Sequence, residues 1–268
     1  MGYTVNKTKK LVFHLYVFDG FEENLFIRLH EICLKRIIGN FDTAIFSIAV
    51  DDLNDYSKIK MGVSFVNKVC NGIIPCDIVV IKNDTELREV TTFRQICLPL
   101  IESGLEEYVF FAHSKGCSRF YGNDDSVLRW CILMYYYCFE DMNELYENFE
   151  NGKVFYGSFL SEKSDDINPY YLTRYSNYYS GTFYWMNIKK MKELIGDYTG
   201  ILFLLVNKRY SAEEFPIFFE DKLLSSYKNV VLQNVNMYFM DKNMWYSCIK
   251  THFDKEANII TFMENIMC

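Results

Sequence analysis

The sequence predicts an α/β fold, a mostly parallel sheet flanked by helices. Two observations carry this reading. Short runs of β-branched, aliphatic and aromatic residues at 11–18 (LVFHLYVF), 43–50 (TAIFSIAV), 77–82 (DIVVIK) and 108–112 (YVFFA) recur through the first part of the chain. Each has the length and near-continuous hydrophobicity of a strand buried on both faces. Stretches of helical periodicity fall between them, and strand–helix alternation is the mark of a parallel sheet.

The elements follow in order. The run at 11–18 is the first strand. A helix over 22–38 presents Phe26, Leu29, Cys33 and Ile37 on one face, with Glu31 and Lys35 spaced for an i,i+4 pair. The second strand, 43–50, ends at Asp51-Asp52, and the third, 77–82, follows the turn residues Asn71, Gly72 and Pro75. Asn83 precedes Glu86 by three residues, a capping-box spacing that opens a helix bearing Leu87, Val90 and Leu100. The strand at 108–112 closes an α/β half over 11–116. From 117 to 268 the pattern is mixed. A helical run spans 126–149, strands are expected at 153–159, 178–188 and 230–235, and 212–227 reads as helix despite Pro216. There is no internal repeat and no linker-like tract, so the two halves are expected to be lobes of one compact domain, 1–268.

Composition narrows the function. Of 268 residues, 50% are apolar and 18% aromatic, enough for an extensive core. A net charge of −7 argues against a nucleic-acid partner. The nine cysteines are odd in number and form no CxxC pair, which argues against a zinc ribbon or a disulfide framework and for buried thiols in a reducing compartment. No leader-like segment is visible, and the longest apolar run, 127–139, is too short to span a bilayer and contains Arg129, so a cytoplasmic protein is expected.

The candidate site centres on His113-Ser114-Lys115-Gly116, where a strand ends in a polar tetrapeptide. Open α/β sheets bind ligands at the C-terminal ends of their strands, and an imidazole with an ammonium there can neutralise a diphosphate. Asn83, Arg88 and Glu89 stand at another strand end and the following helix start, suited to nucleotide or phosphate contact. Ser180, Gly181 and Thr182 interrupt an aromatic strand, as happens where a ligand approaches the backbone. Glu213 or Glu214 could act as a general base. The bland alternatives are a solvated lysine, a plain helix cap, a core strand and a glutamate at a helix start. Metal binding has little support, because the Asp51-Asp52 and Asp124-Asp125 pairs diverge and no His/Cys motif has ligand spacing.

Taken together, LVFHLYVFDG, NDTELRE, FFAHSKG, WCILMYYY, YSGTFYWMN and SAEEFP give the chain a resemblance to small GT-A-fold glycosyltransferases of surface-polysaccharide biosynthesis. The resemblance implies a Rossmann-type nucleotide-binding half, an acceptor-side half, a nucleotide-sugar donor and a glycan or lipid-linked acceptor. It also leaves room for peripheral membrane association through that acceptor. Such enzymes usually carry Asp-x-Asp at a central strand end, holding Mn²⁺ or Mg²⁺ against the diphosphate. Here His113-Ser114-Lys115 stands in that place, so a divalent metal is not supported and direct cationic stabilisation is expected. The alternatives are a non-catalytic carbohydrate- or nucleotide-binding protein on the same fold, or a protein-interaction module.

Overall fold

The computed structural model describes residues 7–117, 125–158, 160–161, 178–179, 181–197, 202, 206–209, 211–213 and 215–226. The expected strand at 230–235, together with Ser180, Glu214, Cys248 and Cys268, lies outside the described residues.

A seven-stranded, mostly parallel sheet forms the centre. Its strands are β1 (Thr8–Tyr16), β2 (Thr43–Val50), β3 (Cys76–Lys82), β4 (Glu107–His113), β5 (Phe155–Gly157), β8 (Tyr184–Asn187) and β9 (Leu224–Ser226), in the order β3-β2-β1-β4-β8-β5-β9. Two short strands, β6 (Leu160–Ser161) and β7 (Tyr178–Tyr179), pair separately. β1 to β4 are mutually parallel, and β8 runs against both β4 and β5. Three of these strands come from beyond residue 117, so one sheet joins both halves of the chain.

Alternation along the inner strands loads two cores. Leu11, Phe13 and Leu15 of β1 and Phe110 and Ala112 of β4 face α1 (Leu25–Ile37), α2 (Tyr56–Cys70), α5 (Asp125–Phe139) and α6 (Met142–Glu150). Val12, Val109 and Phe111 face the opposite layer. That layer is built from α3 (Glu89–Thr92), a π-turn over Phe93–Cys97, α4 (Leu98–Ser103), α7 (Ile188–Ile195) and a 3₁₀ turn over Phe215–Phe218. Burial on both faces explains why β1, β2 and β4 read as continuous apolar runs. Among the described residues β3 is an open edge of the sheet. Val79 and Val80, on opposite faces, are each 37% exposed.

Several expected elements change. α2 was absent from the sequence reading. Asp55 caps it by accepting from the Lys58 N–H at 3.1 Å, and Phe65, Val66 and Val69 form its buried face. Asn83 caps no helix. Asp84 instead accepts from the N–H groups of Glu86 and Leu87, both at 2.9 Å, and the helix begins at Glu89. The run at 126–149 divides into α5 and α6 where Asp141 caps the second helix. The 178–188 strand divides at a turn, with Gly181 at φ +97° and Thr182 at φ +62°. The described part of 212–227 is two 3₁₀ turns and β9 rather than a helix, because Pro216 denies an interior helix its N–H. Among the described residues one disulfide, Cys70–Cys76, ties the end of α2 to the start of β3, contrary to the expectation of free thiols alone. Cys33, Cys97, Cys117, Cys131 and Cys138 are free and buried, as expected of apolar positions. No described helix is long and apolar enough to cross a membrane.

Candidate functional site

The strand order puts β1 between β2 and β4, so the chain leaves β1 toward one side of the sheet and later returns to the other. Such a reversal opens a crevice at the C-terminal ends of the two strands. Here that rim is made by Tyr16 at the end of β1, His113 at the end of β4, and Ser114 and Lys115 in the loop that follows β4. β8 runs the other way, so the turn that leads into it, Gly181–Thr182, arrives at the same rim.

His113 ends β4 and is buried. Its Nε2 lies 3.1 Å from the Gly181 carbonyl oxygen, which can only accept, so Nε2 carries the proton. Burial, then the Lys115 charge, holds this imidazole neutral, well below the usual histidine range. The Gly181 N–H in turn donates to Glu213 Oε1 at 2.7 Å. His113 and Glu213, distant in sequence, therefore grip the two polar atoms of one residue. Glu213 is raised above the usual carboxylate range by burial and, to a smaller extent, by Glu89, against the pull of Lys115 and the Gly181 N–H.

Ser114 is committed to the fold. Its N–H donates to the His14 carbonyl at 2.9 Å, and its Oγ accepts from the Tyr16 N–H at 3.1 Å. The Cys117 thiol lies 3.5 Å from the same oxygen. Lys115 is anchored by its carbonyl, which accepts from His30 Nε2 at 3.0 Å, while its ammonium stands 4.3 Å above the centroid of the Trp130 ring. Among the described residues, no carboxylate forms an ion pair with that ammonium. Gly116 adopts φ +84°, and a Cβ there would meet the Phe26 ring at 2.5 Å. The close approach that the sequence suggested at Gly116 is thus to the protein's own first helix.

Beside this centre lies a second cluster at the ends of β1, β2 and β3. Asp51, the first residue past β2, accepts from Tyr16 Oη at 3.1 Å and from Asn83 Nδ2 at 2.8 Å, and is itself exposed. Burial, then Asp51, pushes the Tyr16 phenol up to about 12. Asn83 therefore sits at the rim as expected, oriented by Asp51. Arg88 is exposed at φ +52°, and its charge is felt at His113 and Cys117. Beneath the rim, a buried chain runs from His14 Nδ1 to Thr92 Oγ1 and on to Ser47 Oγ, each step 2.7 Å.

His113, Ser114, Lys115, Gly116, Gly181, Thr182 and Glu213 thus converge, with Asn83 and Arg88 on the flank. Glu89, which the sequence already groups with Asn83 and Arg88, belongs to the same neighbourhood, as do Tyr16, Asp51 and Trp130, which were missed. For Tyr16 and Asp51 the available signal was position, since they end the two strands adjoining those already recognised; nothing local marked Trp130. Among the described residues, no three His, Cys, Asp or Glu side chains converge as metal ligands. No model of a known protein family matches the chain, and no curated protein matches it.

Proposed function

We propose that the protein is a nucleotide-sugar-dependent glycosyltransferase of the GT-A type, acting on a glycan or lipid-linked acceptor. The observation that carries the reading is Lys115, a cation parked on an aromatic face at the sheet's reversal point and beside a raised carboxylate. A diphosphate is the complement of that arrangement. Lys115 would take its charge, with Arg88 reaching in from the flank. The exposed Asp51, fixed by Tyr16 and Asn83, would accept hydrogen bonds from the nucleoside.

In inverting transfer, the acceptor hydroxyl oxygen bonds to the sugar's anomeric carbon as the bond from that carbon to the diphosphate breaks. Glu213 takes the hydroxyl proton, and the charge left on the diphosphate is met by Lys115. His113 and Ser114 shape the loop and hold the Gly181 turn. The fold supports this reading through the crevice between β1 and β4 and through the single reversed strand that brings Gly181 to it. A cytoplasmic location, with peripheral membrane contact through a lipid-linked acceptor, belongs to the same proposal.

A non-catalytic nucleotide- or carbohydrate-binding protein is the second reading. It is favoured by the commitment of His113 and Ser114 to hydrogen bonds within the protein. One experiment separates the two. The protein is screened by thermal shift against UDP, GDP, CMP and dTDP sugars with and without Mn²⁺, and each stabilising donor is then assayed for hydrolysis and transfer. Stabilisation by one nucleotide class, lost in Lys115→Ala and accompanied by slow donor hydrolysis, is expected. Stabilisation without any turnover would favour the binding protein, and no shift with any donor would sink the nucleotide-sugar reading and leave carbohydrate binding or a protein-interaction module.

A further inference from the structure

We propose that the Gly181 N–H is a phosphate donor kept closed by Glu213, and that a nucleoside diphosphate makes Glu213 a competent base by taking that N–H for itself. The inference rests on the nucleotide-sugar reading and gives it an order of events, in which the base is armed only after the donor has bound.

The geometry of one residue is the starting point. Gly181 has its carbonyl held by His113 Nε2–H at 3.1 Å and its N–H held by Glu213 at 2.7 Å. A backbone N–H at a strand end is a good phosphate donor, and here a carboxylate occupies it.

The next residue is under strain. Thr182 adopts φ +62°, where a β-branched residue is a genuine outlier, and its Oγ1 is buried without a hydrogen-bond partner among the described residues. An unmatched buried hydroxyl costs free energy, as does the backbone angle. The closed turn is therefore a conformation that a ligand could relieve.

Trp130 connects this turn to the cation. A Cβ on Gly181 would stand 3.3 Å from Trp130 Cζ2, and it would also strike the sulfur of Met134. Lys115 Nζ stands 4.3 Å over the same indole. Gly181 and the ammonium thus both adjoin one ring, and a phosphate that draws Lys115 off the indole arrives beside Gly181.

The groups facing Glu213 fix the direction of the change. Lys115 faces it from the loop after β4, Glu89 from α3, Tyr184 from β8 and the Gly181 N–H from the turn. The N–H and the ammonium favour the ionised carboxylate. Losing the first to a phosphate, and having the second neutralised by it, both raise the carboxylate's affinity for a proton. Glu213 passes from a weak base to a stronger one.

The test is isothermal titration of the full chain with UDP, GDP and CDP between pH 5.5 and 7, in buffers of differing ionisation enthalpy. Uridine serves as the phosphate-free probe. Wild type is expected to take up a fraction of a proton more than Glu213→Gln, the phosphate's own titration being common to both. Glu213→Gln is expected to bind several-fold more tightly, because its neutral amide competes less well for the N–H. Thr182→Gly relaxes the closed turn, so it is expected to melt at a higher temperature and bind several-fold more weakly. Equal proton uptake by wild type and Glu213→Gln, with binding intact, overturns the gate and leaves the nucleotide reading standing. A proton difference that appears with uridine also overturns it. No binding by any of the diphosphates removes the nucleotide reading itself.

Discussion

Gly116 and the buried histidines are the residues whose physics is least negotiable. At φ +84° an L side chain costs about 1–2 kcal/mol, before the Phe26 ring has to move. Gly116→Ala is therefore expected to lower unfolding stability by at least that much in a urea titration, and to weaken nucleotide binding by displacing Lys115. His14 and His30 are buried neutral, and burial lowers both to about 4. Below pH 6.5 the unfolded chain binds protons that the folded chain refuses, so stability falls as pH drops toward 4. Each histidine contributes a loss of about 3 kcal/mol by then, at 1.36 kcal/mol per pH unit. Glu213 acts in the opposite sense, since its raised affinity gives the folded state the extra proton as pH falls. A urea series from pH 7 to 4 checks the net sign, and His30→Gln should flatten the curve. At this scale, His113 and Lys115 were legible because a polar tetrapeptide ends an apolar run. Asp51 was not, because its role comes from Tyr16 and Asn83, which reach it from neighbouring strands.

Strands were legible wherever they carry a near-continuous apolar run, the exposed edge strand β3 included, whereas a helix with one wet face was obscure. β2 was located to the residue, since its near-continuous burial leaves a mostly apolar run. α2 was overlooked because its buried residues are few and interrupted by polar ones, although Asp55 supplied a cap signal. The disulfide at its end gives a prediction of its own. Closing the short loop between Cys70 and Cys76 is worth about 2 kcal/mol on a chain-entropy account. Dithiothreitol should lower the urea midpoint of wild type accordingly and leave a Cys70→Ala/Cys76→Ala variant unchanged. The region 212–227 was misread because its apolar spacing suits a helix, while Pro216 and tertiary burial of Phe215 and Phe219 impose tighter turns.

Across the whole molecule, the sheet does not respect the boundary at residues 116 and 117. β4 finds one neighbour in β1 and the other in β8, and α5 supplies much of the core beneath Phe110. A fragment of residues 1–116 would expose that face of β4 and is expected to lack cooperative unfolding, whereas the full chain should unfold in a single transition by circular dichroism. The α/β class was readable because layer and chain order coincide in the first half. The reversed β8 was not, because antiparallel pairing at the centre of a parallel sheet is set by register, Phe111 opposite Tyr184, and by nothing local.

The ammonium over Trp130 makes the site optically visible. An indole's emission responds to a charge at its face, and here that charge is the group a ligand would move. Trp185 offers a quiet background, sealed in the core with its ring stacked 5.3 Å from Phe41 and its Nε1–H given to the Cys138 carbonyl. Trp245 lies outside the described residues, so a Trp130→Phe variant isolates the signal. The difference between the two titrations would report occupancy at Lys115 with no label added, and would do so on the timescale of mixing.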